Sequence, residues 1–226
     1  MSTELLRYFE QRFYQDRHPD KPNSLPFVTL SRETGCNSIA IAKKLILKLN
    51  TSTSHRWKLV SKEELGSAAE KLHLDPRKLD SVFSDGKRSQ MDEILQAFSE
   101  KYYKSDKTIR KTIREIIRDI ASDGYAVVVG RAGVAITNDM PGGLHCRLHA
   151  PLDWRVKNIA SQRNMDEKSS LEYVRDTDEK RAKLIYDFSG KLFSAMNFDI
   201  SLNNNSLSDD IIAELLFELM RLKQMV

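Results

Sequence analysis

The sequence is poor in the features that mark secreted, metal-binding or membrane proteins. Its two cysteines, Cys36 and Cys146, form neither a metal-binding spacing nor a disulfide framework. No apolar run approaches the length of a membrane span, and the polar N-terminus is unlike a signal peptide. These absences predict a cytoplasmic protein with no membrane contact. They also predict no metal-binding residues.

The chain also lacks the charge pattern of a nucleic-acid-binding protein. Its net charge is only +4, and no basic stripe is interleaved with aromatic residues. A small positive excess suits a phosphate-bearing small ligand. With 226 residues, 40% of them hydrophobic and 30% charged, the composition predicts one ordinary α/β domain, with or without an embedded lid.

A further absence is the Walker A motif, the glycine-rich loop with which many proteins hold phosphate. The pattern G-x-x-x-x-G-K-[ST] occurs nowhere. Residues 27–50 nevertheless predict a buried strand (27–31), a polar loop (32–37) and an amphipathic helix (38–49). Such a unit points backbone N–H groups and a helix N-terminus at one position, which suits an anion. Many α/β proteins begin with this unit and bind nothing there, so both interpretations stay open.

With Gly35 taken as an interior loop glycine, the loop differs from Walker A at three positions. Asn37 stands in place of the second glycine, Ser38 in place of the lysine, and Ile39 in place of the Ser/Thr. The lysine charge and the magnesium-binding hydroxyl are therefore both missing. The side chains of Cys36 and Asn37 are expected to crowd a phosphate that approaches the backbone.

The rest of the chain predicts strands alternating with helices. Four further strands are predicted at 57–60, 125–129, 144–148 and 198–202, and helices at 61–72, 106–122, 151–163, 167–188 and from Ser208 onward. This order implies a parallel five-stranded sheet covered by helices on both faces. An amphipathic helix at 3–17 precedes it, either packed on the domain or forming a homodimer contact. Residues 74–105 are less core-like, and suggest either a substrate-side flap or a solvated helical excursion.

Two groups of charged residues are candidate binding residues. Arg131 follows a buried strand, where ligands bind in open α/β sheets, and arginine can hold phosphate bidentately; the alternative is a surface salt bridge. Arg175, Asp178 and Arg181 share one helical face. They predict either salt bridges on a solvated helix or a cationic lid whose acid holds the arginines in place.

Taken together, an ordered set of segments resembles the cytidylate kinase-like family, a branch of the P-loop nucleoside monophosphate kinases. The matching segments are VTLSRETG with IAKKL, WKLVSKEEL, VVVGRAG, HAPLDWRVKNIASQRN, YVRDTDEKRAKLIYDFSGK and FDISLNNNSLSDDIIAELL. The resemblance implies a three-layer, adenylate-kinase-like P-loop domain over 27–226, preceded by an N-terminal helix and linker over 1–26. It places a substrate-side segment at 74–105 and a lid at 163–190.

The resemblance also implies roles for individual residues. Arg131 would hold a monophosphate acceptor. Arg175 and Arg181 would meet the transferred phosphoryl group, with Asp178 as orienter, and Arg163 would lie against the donor base. Arg32 and Glu33 belong to the family's Ser-Arg-Glu signature. The implied ATP- or phosphate-binding residues are Arg32, Gly35, Cys36, Asn37, Ser38, Ile39 and Ala40.

The activity implied by the resemblance is transfer of the ATP γ-phosphoryl group to a nucleoside monophosphate such as CMP or dCMP. ATP and Mg²⁺ are then expected, with nucleoside mono- and triphosphates as ligands and no nucleic-acid partner. Ala132 follows Arg131 where cytidylate kinases carry an acidic residue, which does not favour cytosine specificity. The altered loop keeps a second interpretation open: an inactive nucleotide- or phosphate-binding module that acts through partner contacts. Transfer to a small molecule that is not a nucleotide is a third.

Overall fold

The computed structural model describes residues 24–61 and 107–226, with the side chains of 107–113 excepted. The helices predicted at 3–17 and 61–72, the segment 74–105 and residues 1–23 of the predicted N-terminal helix and linker lie wholly or partly outside these ranges, so those interpretations stay predictions. The described strands are β1 (Phe27–Arg32), β2 (Lys58–Val60), β3 (Ala126–Val129), β4 (Gly143–His149) and β5 (Ile200–Asn203). The helices are α1 (Ser38–Ser52), α2 (Lys107–Asp123), α3 (Gly133–Thr137), α4 (Leu152–Arg163), α5 (Glu167–Ser189) and α6 (Asp209–Leu222).

The strands form one parallel sheet in the order β2-β3-β1-β4-β5, which confirms the predicted α/β architecture. The central strand β1 pairs with β3 on one side and β4 on the other. Its residues Phe27 to Leu30 are fully buried, as expected for a strand covered on both faces. Because all five strands run in the same direction, their carboxyl ends meet at one edge of the sheet.

Two apolar layers hold the helices on opposite faces of the sheet. One joins α1 and α6 to the strands through residues such as Leu45, Leu49 and Leu216. The other places Ile117 and Ile120 of α2 under the opposite face. The helices therefore follow the predicted three-layer arrangement. In the ranges that the structure describes, no helix is both long and apolar enough to cross a membrane.

Element boundaries differ from the predictions where local geometry outweighs the apolar pattern. β3 begins one residue later than expected, since Tyr125 has a φ of 49° and cannot continue a strand. β5 begins at Ile200, two residues late, because a short 3₁₀ turn (Ala195–Asn197) precedes it. The five-residue helix α3 was not predicted, as it is too short to show a period. Helices α5 and α6 are capped by Asp166 and Ser208, whose side chains accept from the N–H groups of Ser169 and Ile211.

Candidate active site at the carboxyl edge of the sheet

The loop between β1 and α1 is bound to the β4–α4 connection by the carboxylate of Glu33. This carboxylate lies 2.9 Å from Arg147 on β4 and 3.3 Å from Arg155 on α4, and it also accepts from the N–H of Ala150. Sequence reasoning gave Glu33 no mechanism beyond its place in the Ser-Arg-Glu signature. The structure shows that it fixes the position of the loop with two cations.

Arg155 is a buried cation that sequence reasoning missed. Only 9% of the residue is exposed. Its guanidinium donates to the carbonyl oxygens of Ala150 (3.0 Å) and Thr34 (3.2 Å) and to the carboxylate of Asp178 (2.6 Å). A buried charge needs such partners, because desolvation without them is costly. A signal was present in the sequence: Arg155 falls within the apolar spacing set by Leu152, Val156 and Ile159.

Asp178, on α5, lies closer to Thr34 of the β1–α1 loop than to Arg181 of its own helix. It accepts bonds of 2.7 Å from both the N–H and the hydroxyl of Thr34, whereas Arg181 lies 3.8 Å away. Together with Arg155, Asp178 therefore joins α5 to the loop between β1 and α1. The two interpretations of this helical face were a solvated helix and a lid, and these contacts show that Asp178 faces the sheet edge.

The three arginines predicted for the lid lie in different environments. Arg181 reaches the loop, donating to the hydroxyl of Thr34 (2.9 Å) and the carbonyl oxygen of Arg32 (3.4 Å). Burial lowers the pKa of Arg181, and the Asp178 carboxylate opposes that shift. Arg163 is exposed and stacks 4.3 Å above the ring of Tyr173, while Arg175 is exposed on α5. Of the three, the structure brings only Arg181 to the loop.

Gly35 is required by the close approach of α4. Its φ is +97°, and a Cβ placed on it would lie 2.7–2.9 Å from the backbone and Cβ of Arg155. Any side chain there would strain the backbone and displace α4. The interpretation of Gly35 as an interior loop glycine therefore fits the geometry.

Most loop N–H groups already have acceptors within the protein. Thr34 N–H donates to Asp178, Cys36 N–H to the carbonyl oxygen of Glu33, and Ser38 N–H to that of Cys36. Asn37 N–H donates to the side-chain oxygen of Asn204 at 2.8 Å. A bound phosphate would have to compete for these donors.

The side chain of Asn37 joins the loop to two helices. It precedes α1 but makes no capping bond to that helix. Instead its oxygen accepts from Asn158 (3.1 Å) and Gln162 (3.2 Å), and its nitrogen donates to Asp209 (3.4 Å). We refer to Asn37, Asn158, Gln162 and Asn204 as the carboxamide cluster.

The remaining loop candidates are not charged donors. Burial, with Glu33 adding to it, raises the pKa of Cys36 to about 12, so the thiol stays protonated. Ser38 is buried, Ile39 packs against the apolar core, and Ala40 is exposed.

Arg131 stands in a strained turn directly after β3. Gly130, Arg131 and Ala132 have φ values of 75°, 55° and 51°, and the latter two are unfavourable for residues with a Cβ. Arg131 is only 9% exposed, so its side chain lies in the interior and not on an open surface. The Arg32 guanidinium lies against Gly130, where a Cβ would come within 1.8 Å of one of its nitrogens. Strain of this kind is typical of functional sites.

The model of the cytidylate kinase-like family matches residues 27–206. The chain belongs to the cytidylate kinase-like family. This result confirms the resemblance seen in the ordered segments. No curated protein matches the sequence.

Solved structures include an uncharacterized protein from Eubacterium ventriosum that resembles this cytidylate kinase-like chain at a TM-score of 0.62 and 19% identity, covering 88% of this chain and 99% of that one. Two kinases are also similar. Shikimate kinase from Bacteroides thetaiotaomicron has a TM-score of 0.45 and 14% identity, covering 88% of this chain and 98% of that one. Dephospho-CoA kinase from Campylobacter jejuni has a TM-score of 0.39 and 14% identity, with the same two coverages. The first similarity supports a shared fold, and the other two scores are too low to support a further statement.

Proposed function

We propose that the protein is a nucleotide kinase that transfers the ATP γ-phosphoryl group to a nucleoside monophosphate such as CMP or dCMP. The observation that carries this proposal is the buried, strained Arg131 at the carboxyl end of β3, directly after Gly130, against which the Arg32 guanidinium lies. Ligands of parallel α/β sheets bind at this edge, and arginine can hold a phosphate with two parallel bonds. Membership of the cytidylate kinase-like family supports the same class of reaction.

The donor side of the site is expected to use arginine in place of the Walker lysine. Phosphoryl transfer depends on positioning and on charge neutralisation more than on covalent chemistry. Arg155 and Arg181 both donate to Thr34, which places two guanidinium groups beside the loop. Ile39 offers no hydroxyl to a metal, so the loop does not fit a Walker magnesium site. Mg²⁺ would therefore be brought to the site by ATP.

A second function is favoured by a specific observation, the internal bonding of the loop. Because the N–H groups of Thr34 and Asn37 donate to Asp178 and Asn204, the loop is satisfied without a phosphate. Such a loop suits a protein that binds a nucleotide or phosphate without transferring it and acts through partner contacts.

A coupled assay with calorimetry separates the two functions. The full chain is given ATP and Mg²⁺ with CMP, dCMP, UMP, AMP and GMP in turn, and each nucleotide is also titrated alone. The kinase proposal predicts turnover with at least one acceptor. Binding without turnover from folded protein would favour the second function, and absence of both binding and turnover would contradict both.

A further inference from the structure

The carboxamide cluster lies at the position where a donor phosphate would approach the loop. Asn37 N–H points at the side-chain oxygen of Asn204, which is itself only 4% exposed. The nitrogen of Asn204 is held by Asp209 at 3.0 Å and by the carbonyl oxygen of Leu207 at 3.4 Å. A buried acceptor oxygen therefore already occupies a direction that a phosphate oxygen would take.

The same cluster holds the loop from the side of α4. Asn158 donates to the carbonyl oxygen of Gly35 at 2.6 Å and to the side-chain oxygen of Asn37 at 3.1 Å. Gln162, one turn further along α4, donates to the same Asn37 oxygen. The Asn37 side chain is the only member that contacts both α4 and α6 in the described contacts, so it joins the two helices across the loop.

The charge that directly contacts the carboxamide cluster is negative. Its four side chains are neutral amides, and the nearest ionised partner is the carboxylate of Asp209. The cations Arg147 and Arg155 lie on the Glu33 side of the loop. A carboxylate within about 4 Å of a phosphate is repulsive, and more so in a partly desolvated site.

We propose that Asn37 determines how well the loop accepts a nucleoside triphosphate. Its side chain accepts bonds from α4 and donates to Asp209 of α6, which holds the loop against both helices, and a triphosphate binds only by displacing those contacts. This inference rests on the proposed function, since it concerns the donor side of the same site. It identifies Asn37 as a residue that sets the affinity for the donor. The affinity for the acceptor, which is assigned to Arg131, should not depend on Asn37.

The test is the substitution Asn37→Gly in the full chain. Glycine is accepted before a helix, and Asn37 has an ordinary φ of −81°, so the fold is expected to survive. Without the side-chain contacts, we expect ATP to bind about tenfold more tightly than to the unmodified protein, which corresponds to about 1.4 kcal/mol. CMP affinity should stay unchanged. Isothermal titration with ATP–Mg²⁺ and with CMP measures both.

Two further variants keep the test decisive. Asn205→Gly, an exposed asparagine next to the cluster member Asn204, is the matched control and should leave both affinities unchanged. Asn158→Ala removes the contacts from α4 and should also tighten ATP binding, which covers the case in which Asn37→Gly does not fold. An ATP affinity that is unchanged, weakened or undetectable in the folded variants overturns the inference. A tighter ATP affinity without turnover would leave it standing and contradict only the kinase proposal.

Discussion

Arg131 gives the most direct residue-level test of the acceptor site. Its replacement by alanine keeps the same kind of backbone strain at φ 55°, because both residues carry a Cβ, and removes only the guanidinium. A charge-assisted hydrogen bond contributes about 1.5–3 kcal/mol. We therefore expect the KM for the monophosphate acceptor to rise by about tenfold or more, with little change in the KM for ATP, in steady-state assays.

The matched control for this prediction is Arg221→Ala. Arg221 lies on α6, is exposed and pairs with Glu218, away from the sheet edge. It should leave both KM values unchanged. If Arg131→Ala also leaves both unchanged, then Arg131 is a structural residue and does not bind the acceptor.

Gly35 and Gly190 separate backbone strain from steric contact. Both have positive φ, 97° and 70°, but a Cβ on Gly190 would meet nothing within 4 Å. Gly190→Ala should therefore cost about 1–2 kcal/mol of unfolding free energy, the strain alone. Gly35→Ala should cost at least about 3 kcal/mol, because α4 must also move. Chemical denaturation measures the two costs, and equal values would contradict the close approach of Arg155.

At the level of elements, the periodic segments were predictable and the irregular ones were not. The strands and long helices carry apolar residues at spacings that identify them, as Ile117 and Ile120 do for α2. The helix α3 has five residues and gives no such signal. Arg155 was overlooked because arginine is rarely buried unless it is paired, and its partners Glu33 and Asp178 lie over 20 residues away in sequence.

The joining of α5 to the loop depends on Asp178. Asp178→Ala removes its bonds from Thr34 and leaves Arg155 with one anionic partner fewer. Breaking a buried pair costs about 3–5 kcal/mol. Because the Asp178 side chain is 28% exposed, we expect about 2 kcal/mol in the free energy of unfolding. Asp176→Ala, which breaks an exposed pair with Lys180 on the same helix, should cost less than about 0.5 kcal/mol.

A double-mutant cycle tests whether this cost belongs to the Arg155–Asp178 pair. The two single variants, Arg155→Met and Asp178→Ala, are compared with the double variant by urea unfolding. A coupling energy below about 0.5 kcal/mol would mean that the pair does not join the two helices.

At the level of the whole molecule, the sheet contains a second polar group, away from the candidate site. His145, on β4, contacts Thr29 of β1 at 2.8 Å, and its backbone N–H donates to Asp199, which also binds Lys223. Burial lowers the pKa of His145, with Asp199 opposing this and Lys223 adding to it. The folded protein therefore favours the neutral ring, while the unfolded chain binds a proton near the ordinary pKa of about 6.5.

This difference predicts that stability falls as the solution becomes mildly acidic. The contribution of His145 is complete above about pH 6.5 and is lost as the pH decreases towards its lower folded-state pKa, by at most about 1.4 kcal/mol per pH unit for one proton. The pKa of Asp199 is also lowered, since its bonds from His145 N–H and Lys223 outweigh its burial, but its contribution is lost only below about pH 4. Unfolding free energies at about pH 7.5, 6.5 and 5.5 should therefore decline in the unmodified protein and in the exposed control His55→Gln. In His145→Gln the decline should be smaller. A decline of equal slope in His145→Gln would assign the titration to another group.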